Sequence, residues 1–185
     1  AEVVVESPFD FRQQGRLFIP KVRSTPKDGL AFTQEFQALV PQILRAFDAG
    51  QLVLFASKRM MESVCAAMPQ DLREHILMQG QRPRKVLLAE HRERVAAGRP
   101  SILFGLQSFG EGVDLPGRLC EHVLIEKIPF APPDSPVDQA LADWLESEHR
   151  NPFAELTVPR AGIKLAQWVG RGVRTTSDRA VSIRI

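Results

Sequence analysis

Two arginines three residues apart close the run Gln167, Trp168, Val169, Gly170, Arg171, Gly172, Val173, Arg174, which reads as a QxxGRxxR pattern. Residues i and i+3 share one side of a helix, so a helical reading over Leu165–Arg174 puts both guanidinium groups on one face. Phosphoryl transfer spreads negative charge over the equatorial oxygens of the moving group, and a planar cation delivered from a second domain can neutralise it in the transition state. The pair thus has the chemistry of an arginine finger. The plain alternative, two surface salt bridges, leaves Gln167 and Gly170 as coincidence.

Three further stretches carry chemistry-bearing residues. LFGLQSFGEGVDLPG, from Leu103 to Gly117, is an apolar strand running into a glycine-rich loop. Ligands of open α/β sheets sit beyond the carboxyl ends of strands, where glycine lets backbone approach closely. Glu111 and Asp114 can accept from a ribose hydroxyl or from arginines across a site, while Gln107 and Ser108 can donate to a sugar-phosphate backbone. LVLFASKRMME places Ser57, Lys58 and Arg59 at a strand-to-helix junction, a position whose free N–H groups favour phosphate. MQGQRPRK places Gln79, Gly80, Gln81, Arg82, Arg84 and Lys85 at a comparable junction, suited to a groove that tracks a nucleic-acid backbone.

The elements that must position these residues read as one α/β domain. The short apolar runs Leu52–Ala56, Ser101–Leu106 and His122–Ile128 predict buried strands, and stretches of helical period separate them, which implies a mostly parallel sheet flanked by helices. Phe36, Leu39, Val40, Ile43, Leu44 and Phe47 form a helical stripe, interrupted by Pro41, where a kink or a restart is expected at a cost of about 3 kcal/mol. Further helices are predicted over Lys58–Met68 and Pro83–Ala97, ending near Pro69 and Gly98. Lys21–Ala31 reads as a flexible loop. IPFAPPDSP marks a rigid connection into a small helical insertion at about 131–160, with Trp144 and Leu145 as its inward contacts. Gly172, read as helical, costs about 1 kcal/mol relative to alanine. Ala180 stands where a turn glycine is expected, and Ala180–Ile185 reads as a last strand, frayed at its edge.

Composition limits the classes of function. The 185 residues carry 24 basic and 22 acidic groups, a formal charge of +2 that is too mild to demonstrate a polyanion partner. Cys65 and Cys120 form no CxxC pair, and His75, His91, His122 and His149 lack metal-ligand spacing, so neither a disulfide framework nor a metal site is expected. No run approaches a membrane span, and AEVVVESPFD is not a secretory leader, so a cytoplasmic chain with no membrane partner is expected.

In this order and spacing the stretches resemble the carboxy-terminal motor domain of the DinG family, bacterial relatives of the XPD helicases. SPFDFRQQG is similar to the start of that domain, LVLFASKRMM to its motif IV, LFGLQSFGEGVDLPG to motif V and QWVGRGVR to motif VI, and KIPFAPPDSPV is a narrower signature. The resemblance covers nearly the whole chain. It implies a RecA-like, P-loop NTPase-type fold over residues 1–185 and ATP-driven 5′ to 3′ translocation on single-stranded DNA. Unwinding of duplex or RNA:DNA junctions in repair or replication, beside the nucleoid, is implied with it. It implies that Arg171 and Arg174 face the γ-phosphate, that Gln167 helps sense it, and that Glu111, Gly112, Asp114 and Gly170 line the ATP cleft. Ser57, Lys58, Gln79, Gly80, Gln107 and Ser108 are the DNA-side residues by the same resemblance. The sequence departs from the family in holding no GxxxxGK[ST] loop and no DEAH-like box. ATP and Mg2+ are therefore expected to be bound mainly by a first motor domain absent from this chain, which would also carry any iron-sulfur cluster, and the chain alone is expected to hydrolyse no ATP. The rival reading is a non-catalytic interaction module that keeps the fold and has lost the motor.

Overall fold

The computed structural model describes residues 10–48, 50–130, 135–172 and 180–184. Six strands, β1 (Gly15–Phe18), β2 (Gln51–Leu54), β3 (Ile76–Met78), β4 (Ile102–Gly105), β5 (His122–Ile125) and β6 (Ala180–Arg184), form one sheet in the order β1-β6-β5-β2-β4-β3. Every pairing is parallel, with Leu54 opposite Gly105 on one side and Ile125 on the other. α1 (Phe11–Gln14) precedes β1; parallel neighbours need crossovers, and the other helices lie within them: α2 (Leu30–Arg45), α3 (Lys58–Ala67), α4 (Gln70–Arg73), α5 (Arg84–Ala96), α6 (Gln107–Gly110), α7 (Pro136–Ser147) and α8 (Val158–Val169).

Side chains alternate across a strand, so each central strand feeds two cores. Val53, Phe55, Phe104 and Leu124 pack with Phe36, Val40 and Leu44 of α2 and Met61 and Val64 of α3. Leu52, Leu54, Leu103, Val123 and Ile125 pack on the opposite face with Leu87 of α5, Phe109 of α6 and Trp168 of α8. Both faces being covered, the strands read as unbroken apolar runs, which is why β2, β4 and β5 stand out in the sequence.

Several expectations are corrected. α2 is one 16-residue helix that begins at Leu30 and runs through Pro41 without restarting there. Phe32, Phe36, Val40 and Leu44, each at most 3% exposed, recur every fourth residue across the proline. Four such burials at about 1.5–3 kcal/mol each outweigh the roughly 3 kcal/mol that the proline costs. Lys21–Ala31 is tied down: Asp28 accepts from the Thr25 N–H and hydroxyl at 2.6 and 2.9 Å, and Glu35 accepts from the Arg23 and Ser24 N–H groups at 2.8 Å. In the insertion Leu145 is buried, but Trp144 is 50% exposed, its ring covered by the Arg150 guanidinium 5.6 Å from the centroid. α7 turns only one stripe inward, and Trp144 lies outside it.

The last helix is shifted. A π-helical turn over Phe153–Thr157 leads into α8, which starts at Val158 and stops at Val169, where Gly170 caps it with its N–H on the Ala166 carbonyl. Gly172 is therefore not helical and bears no helix penalty. A Cβ there would lie 2.3 Å from the Ala180 Cβ, so glycine is required for the chain to pass the start of β6. Ala180 itself is buried as the first residue of that strand.

Candidate functional site

Because β2, β4 and β3 are neighbours, the turns after them line a single edge of the sheet. After β2, the Ser57 hydroxyl caps α3 by accepting from the Met60 N–H at 3.2 Å, and exposed Lys58 pairs with Glu62 at 3.6 Å. After β3, the Gln79 side chain spans to the turn after β4: its Oε1 accepts from the Leu106 N–H and its Nε2 donates to Ser108 Oγ, both at 2.8 Å. Gln107 Nε2 in turn donates to Glu111 Oε1 at 2.9 Å. Gln79 and Ser108 thus form one polar pair, with the separate Gln107–Glu111 pair on the adjoining helix α6. Gly80 is in the exposed turn beside Gln79. Arg82 is spent on Glu90, at 2.6 Å.

From α6 the chain runs back along the sheet. Phe109, Val113 and Leu115 turn inward with at most 2% exposure, while Gly112 and Asp114 face out. What holds this segment in place is a set of arginines on backbone carbonyls. Arg171 donates from Nε to the Gly110 carbonyl at 2.7 Å and from Nη1 to the Val113 carbonyl at 2.8 Å. Arg84 reaches the Glu111 carbonyl at 3.4 Å while lying over the Phe109 ring, and Arg92 reaches the Asp114 carbonyl at 3.3 Å. A guanidinium has five N–H donors in a fixed fork, which suits one side chain to bridging two carbonyls. Trp168, 1% exposed, closes the assembly by laying its indole on Gly110, where a Cβ would sit 2.2 Å from Nε1.

One further polar contact fixes the far end of the segment. His91, fully buried on α5, has its Nε2 2.7 Å from the Leu119 carbonyl and its Nδ1 2.8 Å from Ser101 Oγ. A carbonyl can only accept, so Nε2 carries the proton and the serine hydroxyl donates to Nδ1. Burial pushes the pKa of this histidine down, keeping it neutral.

The structure thus brings Arg171 onto the Gly110 and Val113 carbonyls, on either side of Glu111 and Gly112, and joins Gln79 to Ser108 at the other end of the same loop, while Gln167 is exposed on α8 and Gly170 caps it. Because α8 stops at Val169, Arg171 sits in the turn beyond the helix; Arg174 lies outside the described residues. Arg84, expected in a DNA groove, reaches the Glu111 carbonyl of the loop. Arg92 and Trp168 were given no role by sequence reasoning; the helical spacing of Arg84, Leu88 and Arg92 along α5 is the one signal that could have paired them. Among the described residues no group of three His, Cys, Asp or Glu side chains could hold a metal ion, and no helix is long and apolar enough to cross a membrane.

A parallel sheet covered on both faces, with a glycine loop pinned by the arginine of a following QxxGR turn, defines a RecA-like helicase domain. Residues 40–185 match the family model described as a helicase C-terminal domain, and the chain belongs to that family. More particularly it is a DinG- and XPD-like C-terminal helicase domain. It is 38% identical over 179 residues to the ATP-dependent DNA helicase DinG of Photobacterium profundum, covering 95% of this chain and 26% of that protein. It is 41% identical over 180 residues to the ATP-dependent DNA helicase DinG of Escherichia coli K12, covering 94% of this chain and 24% of the relative. The chain therefore spans about a quarter of the length of these relatives. S. tokodaii Xpd4 superposes with a TM-score of 0.68 at 17% identity over 99% of this chain and 35% of its own. A structure of XPD without ligand gives 0.69 at 19% identity over 91% and 34%, and both likenesses speak to the fold.

Proposed function

We propose that this chain is the second motor domain of a DinG-type, ATP-dependent DNA helicase that moves 5′ to 3′ along single-stranded DNA and opens duplex or RNA:DNA junctions in repair or replication. The observation that carries the reading is the double hydrogen bond from Arg171 to the Gly110 and Val113 carbonyls. It ties the QxxGR turn to a loop whose one end presents Gln107 and Ser108 to the strand edge and whose other presents Gly112 and Asp114 to the cleft. A nucleotide event at one end is thereby transmitted to the other through a few residues of fixed backbone.

In this reading ATP and Mg2+ are gripped by a first motor domain, where any iron-sulfur cluster also resides, and this domain closes over the nucleotide. Arg174 supplies the guanidinium that neutralises charge on the transferring phosphoryl group, while Gln167 senses the γ-phosphate. Arg171 acts as the positioning residue that keeps the loop in register. Ser57, Lys58, Gly80 and the Gln79–Ser108 pair contact the DNA backbone. The chain alone hydrolyses no ATP, and the full protein works in the bacterial cytoplasm at the nucleoid.

The test is ATP turnover by the natural full-length polypeptide on single-stranded DNA at low salt. Arg174→Ala is expected to lower kcat by about 10³-fold or more, the scale of arginine-finger loss, while DNA affinity changes less than about threefold, since the group acts mainly in the transition state. Unchanged turnover removes Arg174 from that role, and a wild type without turnover points to an interaction module.

A further inference from the structure

Trp168 is the largest fully buried side chain among the described residues, and its indole Nε1, sealed from solvent, has no hydrogen-bond partner among them. Buried donors are rarely left so, because an unmade hydrogen bond costs more than a made one contributes on balance. The nitrogen lies against Gly110: a Cβ on that glycine would be 2.2 Å from Nε1 and 2.4 Å from Cδ1 of the ring. The Gly110 carbonyl is held by Arg171, whose Nε donates to it at 2.7 Å. Two donors of one QxxGR turn therefore converge on one loop residue, and the carbonyl is aimed at the guanidinium while the indole goes without.

The surroundings let the two donors change places. Trp168 is anchored on α8, whereas Arg171 lies in the turn beyond it, between Gly170 and Gly172. The bond from Arg171 Nη1 to the Val113 carbonyl, at 2.8 Å, belongs to the same guanidinium, so both loop contacts are released together. Gly110 ends α6 with its N–H on the Leu106 carbonyl at a long 3.3 Å, and a glycine peptide turns more freely than any other.

We infer that Trp168 is a positioning residue around which the Gly110–Val113 segment has a second seating: when Arg171 leaves, the Gly110 carbonyl turns to accept from the indole N–H. One N–H···O bond breaks at that carbonyl and another forms, so the indole offsets part of the cost of drawing the guanidinium away. The loop then has two discrete positions in place of one position and disorder, and an anion that pairs with Arg171 selects the second. The inference rests on the nucleotide-cleft reading of this turn and names the response of the loop to it.

The test follows the indole proton by nuclear magnetic resonance in the full-length polypeptide, isotopically labelled at the tryptophan ring nitrogen, the Trp168 signal being the one lost in Trp168→Phe. The probe is ATPγS with Mg2+ and an oligodeoxythymidylate strand. In the free protein the Trp168 proton is expected upfield, where unbonded indoles resonate, and it is expected to move downfield when the probe is added. Arg171→Ala is expected to reach the downfield position with no nucleotide present. Trp168→Phe, which keeps an aromatic ring and drops the donor, is expected to lower DNA-stimulated kcat about tenfold, the scale of one hydrogen bond, with KM for ATP unchanged; a packing role alone would lower stability without that split. An upfield proton in Arg171→Ala overturns the exchange. A downfield proton in Arg171→Ala, beside a wild type that the probe leaves unmoved, upholds the exchange and overturns the nucleotide-cleft reading.

Discussion

The two faces of the sheet are built from different materials. On the side of α2 and α3, phenylalanine and methionine close a continuous apolar core, with Phe36 meeting Phe55 edge-on at 6.1 Å and Phe55 meeting Phe104 at 5.0 Å. On the side of α8, apolar side chains anchor a loop whose outward backbone is held by the guanidinium groups of Arg84, Arg92 and Arg171. Apolar packing is non-directional and stays put, whereas hydrogen bonds to exposed carbonyls exchange readily with water and with ligands. Both faces bury an apolar core, and only the second adds guanidinium groups on loop carbonyls.

That division can be attacked by substitution. Phe36→Ala is expected to cost about 3–5 kcal/mol in urea unfolding, with single-strand affinity retained in whatever fraction stays folded; a cost below about 1 kcal/mol would deny the first face its role. Gly110→Ala forces a Cβ onto the Trp168 indole and is expected to cost about 1–3 kcal/mol by overpacking. It should also redshift Trp168 emission, a change absent from Phe36→Ala under folding conditions. Identical spectra would mean that the loop does not depend on that contact.

The smallest effect expected is a pH dependence. His122, at the start of β5 and stacked on Phe47 at 3.7 Å, is held down to about 4 by burial, partly opposed by Asp48, and burial likewise lowers His91. Both histidines titrate near 6.5 when unfolded, so between 6.5 and the folded values the unfolded chain binds more protons than the folded one. Stability is therefore complete above pH 6.5 and falls as the pH drops toward 4. Urea midpoints at pH 8 and pH 5 should differ in that direction, and His122→Asn should narrow the difference. Equal midpoints would contradict the burial of these imidazoles.

Much of this was legible in the sequence, for physical reasons. β2, β4 and β5 are buried on both faces and so read as apolar runs, and α3 and α5 begin and end within a residue or so of the expected positions because Ser57, Pro69, Pro83 and Gly98 punctuate them. β3 was missed because three residues give no periodicity, and β1 because three of its four side chains are exposed at the sheet edge. The start of α8 was hidden by Pro159 and Gly162, residues that ordinarily argue against a helix. Within the site, Gln79, Gln107, Ser108, Gly112, Asp114 and Arg171 could be named from local motifs. The carbonyl contacts of Arg84, Arg92 and Arg171 join residues 27, 22 and about 60 positions apart, and no local pattern encodes them.

The central claim is that the loop held by Arg171 couples the strand edge to the nucleotide cleft. Its most direct measurement is the stimulation of ATP turnover by single-stranded DNA in the full-length polypeptide, wild type beside Arg171→Ala, with DNA affinity determined in parallel. The account predicts affinity within about threefold and stimulation reduced by 10²-fold or more, the cost expected when a positioning contact slips. Full stimulation in Arg171→Ala would contradict it.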